Sequence, residues 1–199
     1  MRFALFLFSF FFLACSQGNA ESKNLNAINF QPDLNKVPVE GCPAILNHNV
    51  RVLDSKDVIN LCDHKDKVVL AVNVASRCGF TYQYEQLESL QRKFRDEKFT
   101  VLGFPSRNFM GQEFSDEEKV SEFCKSTFDV TFPLFSIANV KSSTSHPFYK
   151  KLYELTSERP SWNFHKFLIS PNGNIKSFSH RIDPEDQLIV SAIQDSINL

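Results

Sequence analysis

The sequence has no Cys-x-x-Cys pair, although it contains five cysteines, at positions 15, 42, 62, 78 and 124. Zinc ribbons bind their metal through such pairs, and oxidoreductases of the thioredoxin type use one as their redox centre. The five histidines are scattered along the chain and show no metal-ligand spacing. We therefore expect no metal and no other cofactor.

The chain also lacks an excess of charge of either sign. Its 22 basic and 23 acidic residues give a net charge of −1, and the two signs are interspersed. A nucleic-acid-binding domain typically carries a basic patch or stripe. We therefore expect no nucleic-acid partner.

No hydrophobic run is long enough to cross a bilayer, which takes about 20 residues. The main apolar run, residues 3–14, follows Arg2 and precedes small residues, as in a secretory signal. The pattern predicts export to the periplasm, with a signal peptide over residues 1–20 that ends at Gly18-Asn19-Ala20. Alternatively, Phe12-Leu13-Ala14-Cys15 resembles a bacterial lipobox, which would end the signal before Cys15 and anchor the protein to the membrane through a lipid on this residue.

The rest of the chain divides into a tether and one domain. Residues 21–40 are polar and contain Pro32 and Pro38, which is typical of a linker. Residues 41–199 are numerous enough to bury a single core. We find no internal repeat.

Hydrophobic patterning predicts the fold of this domain. Residues 68–74 form a continuous apolar run typical of a strand buried on both faces. Helical spacing follows at Gln83, Leu87, Leu90 and Phe94, and a second strand is predicted over residues 100–104. A strand, a helix and a strand in this order form a parallel crossover.

The second half of the chain predicts further helices and a hairpin. Ser115 and Glu118 form a capping box at the start of one helix, and Pro147 begins another. Strands over residues 164–169 and 175–178 flank an Asn-Gly turn, and residues 183–186 cap a last helix. The buried face of that helix is predicted to contain Leu188, Ile189, Ala192, Ile193 and Ile197. Together these elements predict an α/β thioredoxin-like fold with a central mixed sheet flanked by helices.

Cys78 lies where the first strand pattern gives way to a polar turn and then to a helix. The N-terminus of a helix carries partial positive charge, which favours the ionised, nucleophilic form of a cysteine. The alternative is a half-buried structural cysteine, which is the commoner role of a single cysteine.

Three segments resemble the signatures of the glutathione peroxidase family, in the family's order. N-V-A-S-R-C-G-F-T spans residues 73–81, L-G-F-P-S-R-N-F-M-G-Q-E spans residues 102–113, and W-N-F-H-K-F-L spans residues 162–168. The resemblance implies a thiol-dependent peroxidase that reduces hydrogen peroxide and organic or lipid hydroperoxides. It also implies a monomer, because members that form tetramers have a longer segment between residues 135 and 162.

The resemblance assigns the peroxidatic role to Cys78, with cysteine in place of selenocysteine, and supporting roles to Gln112, Trp162 and Asn163. Splitting an O–O bond needs hydrogen-bond donors already in place for the departing oxygen. Amide and indole N–H groups are such donors, and none of them titrates. Phe114 departs from the family pattern, which commonly has proline after Gln-Glu.

After the attack Cys78 becomes a sulfenic acid, which condenses with another thiol to form an intramolecular disulfide. The resemblance makes Cys124 the resolving candidate, and the alternative is that Cys124 is a buried helix residue. A resolving cysteine favours a thioredoxin-like protein over glutathione as the reductant. In an exported chain we expect Cys42 and Cys62, which lie outside the signatures, to form a structural disulfide.

Two alternative functions are a thiol–disulfide oxidoreductase on the same fold and a non-catalytic redox sensor. The oxidoreductase would need a second cysteine where Thr81 stands; a peroxiredoxin is disfavoured as well, because it would need threonine where Ala75 stands. A non-catalytic redox sensor would keep the scaffold without turnover.

Overall fold

The computed structural model describes residues 39–142 and 144–199. The predicted signal peptide, Cys15 and the tether up to residue 38 lie outside the described residues. The strands are β1 Asn49–Arg51, β2 Val58–Asn60, β3 Val68–Val74, β4 Phe99–Pro105, β5 Lys166–Ile169 and β6 Ile175–Phe178. The helices are α1 Gln83–Lys93, α2 Glu117–Phe128, α3 Pro147–Thr156 and α4 Gln187–Ile197, and a short 3-10 helix covers Leu61–His64.

Four of these strands form the central sheet, in the order β4-β3-β5-β6. β3 and β4 are parallel and are connected through α1, while β5 is antiparallel to both β3 and β6. β3 and β4 are buried along their whole length, because helices cover both faces of the sheet. The predicted mixed sheet flanked by helices is confirmed.

Alternate residues of β3 point into two separate hydrophobic clusters. Val68, Leu70, Val72 and Val74 pack in one cluster with residues of α1, α2 and α4. Val69 and Ala71 pack in the other cluster with residues of α3 and of the N-terminal hairpin. The sheet therefore lies between a layer of three helices and a layer formed by α3 and the hairpin.

The N-terminal hairpin carries a disulfide. β1 and β2 pair in antiparallel register, with Val50 opposite Ile59. Cys42 and Cys62 are joined by an S–S bond of 2.04 Å, which ties the segment before β1 to the 3-10 helix after β2. Cys42 packs against the cluster on the α3 face of the sheet, whereas Cys78 and Cys124 belong to the opposite cluster. The disulfide is thus separated from both free thiols by the sheet.

Two predicted element boundaries and one predicted buried position differ from those in the structure. The N-cap of α2 is Asp116, which accepts a 3.1 Å hydrogen bond from the N–H of Glu118, so the capping box predicted at Ser115 is wrong. β5 begins only at Lys166, because Phe164 has a left-handed backbone (φ 65°) that cannot continue a strand. Leu188 is 57% exposed, so its predicted place on the buried face of α4 is also wrong.

Candidate active site

The sheet brings three loops to one edge. Residues 75–82 leave the C-terminal end of β3, and residues 106–116 leave the C-terminal end of β4, which runs parallel to β3. β5 is antiparallel, so residues 162–165 enter it at the same edge. Ligand sites of open α/β sheets form at this edge. The three loops carry Cys78, Gln112 and the Trp162-Asn163 pair.

Cys78 lies half-buried in the first of these loops, with a free thiol. The helix that follows begins only at Gln83, so Cys78 precedes its first turn. The N–H of Phe80 points at the Cys78 sulfur at 3.5 Å, which directs a backbone donor at the reactive atom. Thr81 fixes the turn, because its Oγ1 accepts a 2.9 Å hydrogen bond from the Cys78 N–H.

Gln112 and Asn163 meet directly across two loops. The Nδ2 of fully buried Asn163 donates a 3.0 Å hydrogen bond to Oε1 of Gln112. This hydrogen bond fixes the orientation of the Gln112 side-chain amide. The backbone carbonyl of Gln112 accepts a 2.9 Å hydrogen bond from the N–H of Arg77, next to Cys78. The amide of Gln112 is therefore fixed beside the loop of the reactive cysteine.

Asn73, near the end of β3, holds the Trp162 segment in place. Its Nδ2 donates to the carbonyl of Trp162 at 3.0 Å, and its own carbonyl accepts from the N–H of Phe164 at 2.6 Å. The Trp162 ring packs against Phe109, with ring centroids 5.4 Å apart. The left-handed backbone of Phe164 turns the chain sharply after Asn163. Strained backbone of this kind clusters at functional sites.

Arg77 ties the Cys78 loop to the Gln112 loop. Its Nη2 donates to the carbonyls of Gly111 at 3.2 Å and Glu113 at 3.0 Å, the two neighbours of Gln112. The guanidinium also lies over the Phe114 ring, 4.7 Å from its centroid. Phe114, which replaces the family's proline, thus gives Arg77 a stacking partner.

Cys124 lies on α2 with only 1% of its surface exposed, and its thiol is free. Burial raises the pKa of Cys124, the Tyr84 hydroxyl lowers it and the nearby Glu113 carboxylate raises it, with a net value of about 12. Burial likewise raises the pKa of Tyr84 well above its usual value, as do Cys124 and Glu113. The Cys124 thiol is therefore protonated and sheltered in this conformation.

A buried lysine, Lys166, lies close to the site. Lys166, the first residue of β5, is fully buried, and its Nζ donates a 2.6 Å hydrogen bond to the carbonyl of Ile182. Burial lowers the pKa of Lys166 to about 7, with partial compensation from Asp183. Gln83 at the start of α1 donates to the carbonyl of His180 at 2.8 Å. Lys166 and Gln83 together fix residues 180–183 next to the first turn of α1.

The structure thus brings Cys78, Gln112, Trp162 and Asn163 to one edge of the sheet and places Cys124 on the same face as Cys78. Sequence reasoning missed Glu113, Tyr84 and the bridging role of Arg77, since neither burial nor side-chain direction can be deduced from a motif. Among residues 39–142 and 144–199, no group of three or more His, Cys, Asp or Glu side chains could hold a metal ion. In the same part of the chain, none of the helices has the length and apolarity that a membrane span requires.

Comparisons with known proteins identify the family of the chain. The glutathione peroxidase family model matches residues 45–153. Thioredoxin/glutathione peroxidase BtuE of Escherichia coli K12 is 36% identical over 176 residues, covering 76% of this chain and 96% of that protein. Glutathione peroxidase homolog BsaA of Halalkalibacterium halodurans is 44% identical over 119 residues, covering 58% of this chain and 76% of that protein.

A solved structure extends the likeness to the fold. The crystal structure of Trgpx in apo form is 34% identical and superposes with a TM-score of 0.62, covering 78% of this chain and 95% of that chain. This superposition confirms the thioredoxin-like fold predicted from the sequence. The chain therefore belongs to the glutathione peroxidase family and is a thiol-dependent peroxidase.

Proposed function

We propose that Cys78 is the residue that attacks the hydroperoxide. Its thiolate forms a bond to the terminal oxygen, the O–O bond breaks, and the departing alkoxide takes up a proton to leave as an alcohol, or as water from hydrogen peroxide. Cys78 is thereby oxidised to a sulfenic acid. The convergence of half-buried Cys78 with the hydrogen-bonded Gln112–Asn163 pair at one sheet edge carries this proposal.

Gln112, Asn163 and Trp162 stabilise the departing oxygen. Donors that are in place before the reaction need no reorganisation as charge develops, which makes them effective in a site that excludes bulk water. Asn163 fixes the Gln112 amide through its oxygen, and Nε2 of Gln112 is the donor to the departing oxygen. Trp162 contributes an indole N–H from a ring supported by Phe109.

Cys124 resolves the sulfenic acid by forming a disulfide with Cys78. Both cysteines are free thiols and both pack in the cluster formed with α1, α2 and α4. The Cys124 thiol is buried inside that cluster. α2 must therefore open locally before the two sulfurs meet. The disulfide is then reduced by a thioredoxin-like protein, whose dithiol exchanges with it. Glutathione is the alternative donor, and the printed name of the Escherichia coli relative includes both reductants.

The protein acts outside the cytoplasm as a monomer. The leader over residues 1–20 supports export, and the lipobox-like residues before Cys15 support membrane anchoring as the alternative to a soluble periplasmic form. Mass analysis of the mature N-terminus decides between them. A chain that starts at Glu21 is soluble, a lipid-modified Cys15 is anchored, and an intact Met1 overturns export.

Coupled turnover assays test the proposed chemistry. Hydrogen peroxide and a lipid hydroperoxide are each supplied with either thioredoxin and its reductase or glutathione and its reductase, while NADPH consumption is followed. We expect turnover with thioredoxin, loss of all turnover in Cys78→Ser, and loss of thioredoxin-supported turnover in Cys124→Ser. The double variant Cys42→Ser/Cys62→Ser is the matched control, because it removes two sulfurs on the opposite face of the sheet. Peroxide turnover by Cys78→Ser would overturn the assignment.

Peptide mapping after one equivalent of peroxide tests the resolving step. We expect a Cys78–Cys124 disulfide beside the existing Cys42–Cys62 bridge. If Cys78 persists as a sulfenic acid that dimedone traps, Cys124 is not the resolving residue.

A further inference from the structure

Four polar side chains are buried together behind the Cys78 loop. Glu113 and Tyr84 are fully buried, Cys124 is 1% exposed and Ser76 is 5% exposed. They come from four different segments: the Cys78 loop, α1, the Gln112 loop and α2. The ring of Phe114, next to Glu113, lies 6.0 Å from the ring of Phe123, next to Cys124, and Tyr84 and Cys124 pack in the same hydrophobic cluster. We refer to these four side chains as the buried polar group.

Several atoms of the buried polar group have no hydrogen-bond partner among the described residues. Glu113 Oε1 accepts from the N–H of Phe114 at 2.8 Å, whereas its Oε2 is unpartnered. The hydroxyls of Tyr84 and Ser76 are unpartnered as well. Buried polar groups are nearly always paired, and an unpaired one is costly, so this concentration requires an explanation.

The Glu113 carboxylate lies between the segments of the two reactive cysteines. On one side its loop is joined to the Cys78 loop, because Arg77 donates to the Glu113 carbonyl at 3.0 Å and Ser76 faces the carboxylate. On the other side the carboxylate faces Cys124, whose pKa it raises. The loop of Glu113 thus contacts both segments that have to approach each other in the resolving step.

We infer that Glu113 is the proton acceptor for the Cys124 thiol in the resolving step. The inference rests on the proposed function, in which Cys124 resolves the sulfenic acid of Cys78. Glu113 takes the proton from the Cys124 sulfur, and that sulfur forms a bond to the sulfur of Cys78. The S–O bond of the sulfenic acid breaks, and the leaving hydroxide takes the proton from Glu113 and departs as water. The Cys124 sulfur is oxidised while the Cys78 sulfur is reduced from the sulfenic to the disulfide level, and Glu113 ends as the carboxylate.

The surroundings of Glu113 suit it to this task. Burial raises its pKa, while the proximity of Ser76, the hydrogen bond from the Phe114 backbone and the charge of Arg77 oppose the rise. A raised pKa makes the carboxylate a stronger base than an exposed one. The charged and titratable groups that face it are Arg77, Tyr84 and Cys124. The raised pKa values of Tyr84 and Cys124 keep both groups protonated throughout the acid range, so an acid inflection belongs to Glu113.

Stopped-flow fluorescence separates the two chemical steps, because Trp162 is the single tryptophan of the chain and lies at the site. The first phase, Cys78 oxidation, depends on peroxide concentration, and the second phase, disulfide formation, does not. We expect Glu113→Gln to slow the second phase by on the order of 100-fold, and far more than it slows the first. Glu118→Gln, the same change at an exposed position in the first turn of α2, is the matched control.

The pH profile distinguishes a base from a merely structural residue. In the parent protein we expect the second-phase rate to fall as the pH drops through the ionisation of Glu113. In Glu113→Gln this inflection disappears, and the rate rises with hydroxide concentration instead. Glu113→Asp, which retains a carboxylate, restores the inflection. A parent second phase that is flat across the acid range overturns the inference whether or not the variants fold.

Two outcomes separate failure of this inference from failure of the proposed function. If dimedone traps no sulfenic acid on Cys78 in the parent protein, the proposed function itself fails. If Cys78 is oxidised and the second phase of a folded Glu113→Gln keeps the parental rate, only the role of Glu113 is overturned. Addition of a small external thiol supplies a further check, since it bypasses Cys124 and should remove the difference between Glu113→Gln and the parent.

Discussion

The Nδ2 of Asn163 donates a 3.0 Å hydrogen bond to Oε1 of Gln112, which joins two loops at the edge of the sheet. This contact fixes the orientation of the Gln112 side-chain amide. Asn163 is fully buried and Gln112 is half-buried, so the pair extends from the core to the surface of the site. Asn163 therefore acts at least partly through Gln112.

The first prediction is that the effects of these two residues are not additive. Gln112→Ala should slow Cys78 oxidation by on the order of 100-fold, because it removes a donor to the departing oxygen. Asn163→Ala should slow it by on the order of 10-fold, and the double variant should be little worse than Gln112→Ala alone. Stopped-flow oxidation rates measure all three, with Gln194→Ala on the exposed face of α4 as the control. Fully multiplicative effects would show that the two residues act independently.

A second prediction concerns the disulfide between Cys42 and Cys62. The bridge closes a loop with a sequence separation of 20, and it lies on the sheet face opposite Cys78. A loop of this length restricts the unfolded chain and stabilises the fold by about 3 kcal/mol. Cys42→Ser/Cys62→Ser should therefore lower the free energy of unfolding in urea by about this amount while the peroxide oxidation rate of Cys78 stays parental. A matching loss of oxidation rate would contradict the separation of the two sites.

The elements that were predicted well from the sequence are those in which local pattern and burial agree. Val68–Val74 is apolar at nearly every position because both of its faces are covered, and α1 shows its buried face at helical spacing. Asp116 shows the limit of such patterns. Ser115 and Asp116 are both good cap residues, and the choice depends on where the chain leaves the Gln112 loop.

The parts of the site that were not predictable depend on tertiary contacts. Phe164 is the first residue of the strand predicted over residues 164–169, yet its left-handed backbone turns the chain and brings Asn163 to Gln112. Glu113 and Lys166 are residues that usually lie at the surface, and nothing local indicates that both are buried. The hydrogen bonds from Arg77 to the Gln112 loop likewise cannot be predicted until the parallel register of β3 and β4 is known.

A third prediction is a pH dependence of stability that comes from Lys166. Burial lowers its pKa from 10.5 to about 7 in the folded protein. Between pH 7 and about 9 the unfolded chain therefore holds a proton that the folded protein has lost, so the free energy of unfolding rises with pH. One proton limits the slope to about 1.4 kcal/mol per pH unit. Above pH 9 the Cys124 thiol, whose pKa is raised by folding from 9.0 to about 12, ionises only in the unfolded chain, which cancels the Lys166 contribution up to pH 10.5 and makes stability fall above it.

Urea unfolding at several pH values within this window measures the slope. Lys166→Met should flatten it, and Lys176→Met, at an exposed position on neighbouring β6, should leave it intact. The pKa values of the five histidines are lowered from 6.5, so they titrate below the window. An equal slope in the parent and in Lys166→Met would show that the Lys166 ammonium is solvated.

A fourth prediction concerns the opening of α2, which the resolving step requires. The C-terminal end of α2 is held to α1 through the buried carboxylate of Glu88, which accepts from Arg92 Nε at 2.7 Å and from the N–H of Thr131 at 2.7 Å. Arg92 in turn contacts Asp129, the C-cap of α2, at 2.7 Å. We call these interactions the C-terminal contacts of α2. They oppose any movement that releases Cys124.

Glu88→Gln weakens the C-terminal contacts of α2, because hydrogen bonds to a charged group contribute about 2 kcal/mol. Part of this energy no longer contributes to the free-energy barrier that opposes the opening of α2. Disulfide formation after Cys78 oxidation should therefore be faster, by up to about 10-fold. Glu154→Gln is the control, since it breaks a 3.2 Å ion pair with Lys151 on α3, away from the moving helix. The second stopped-flow phase provides the measurement, alongside the free energy of unfolding. If Glu88→Gln loses stability without faster disulfide formation, Cys124 leaves its pocket by release of the opposite end of α2, where Glu117 is held by Arg51.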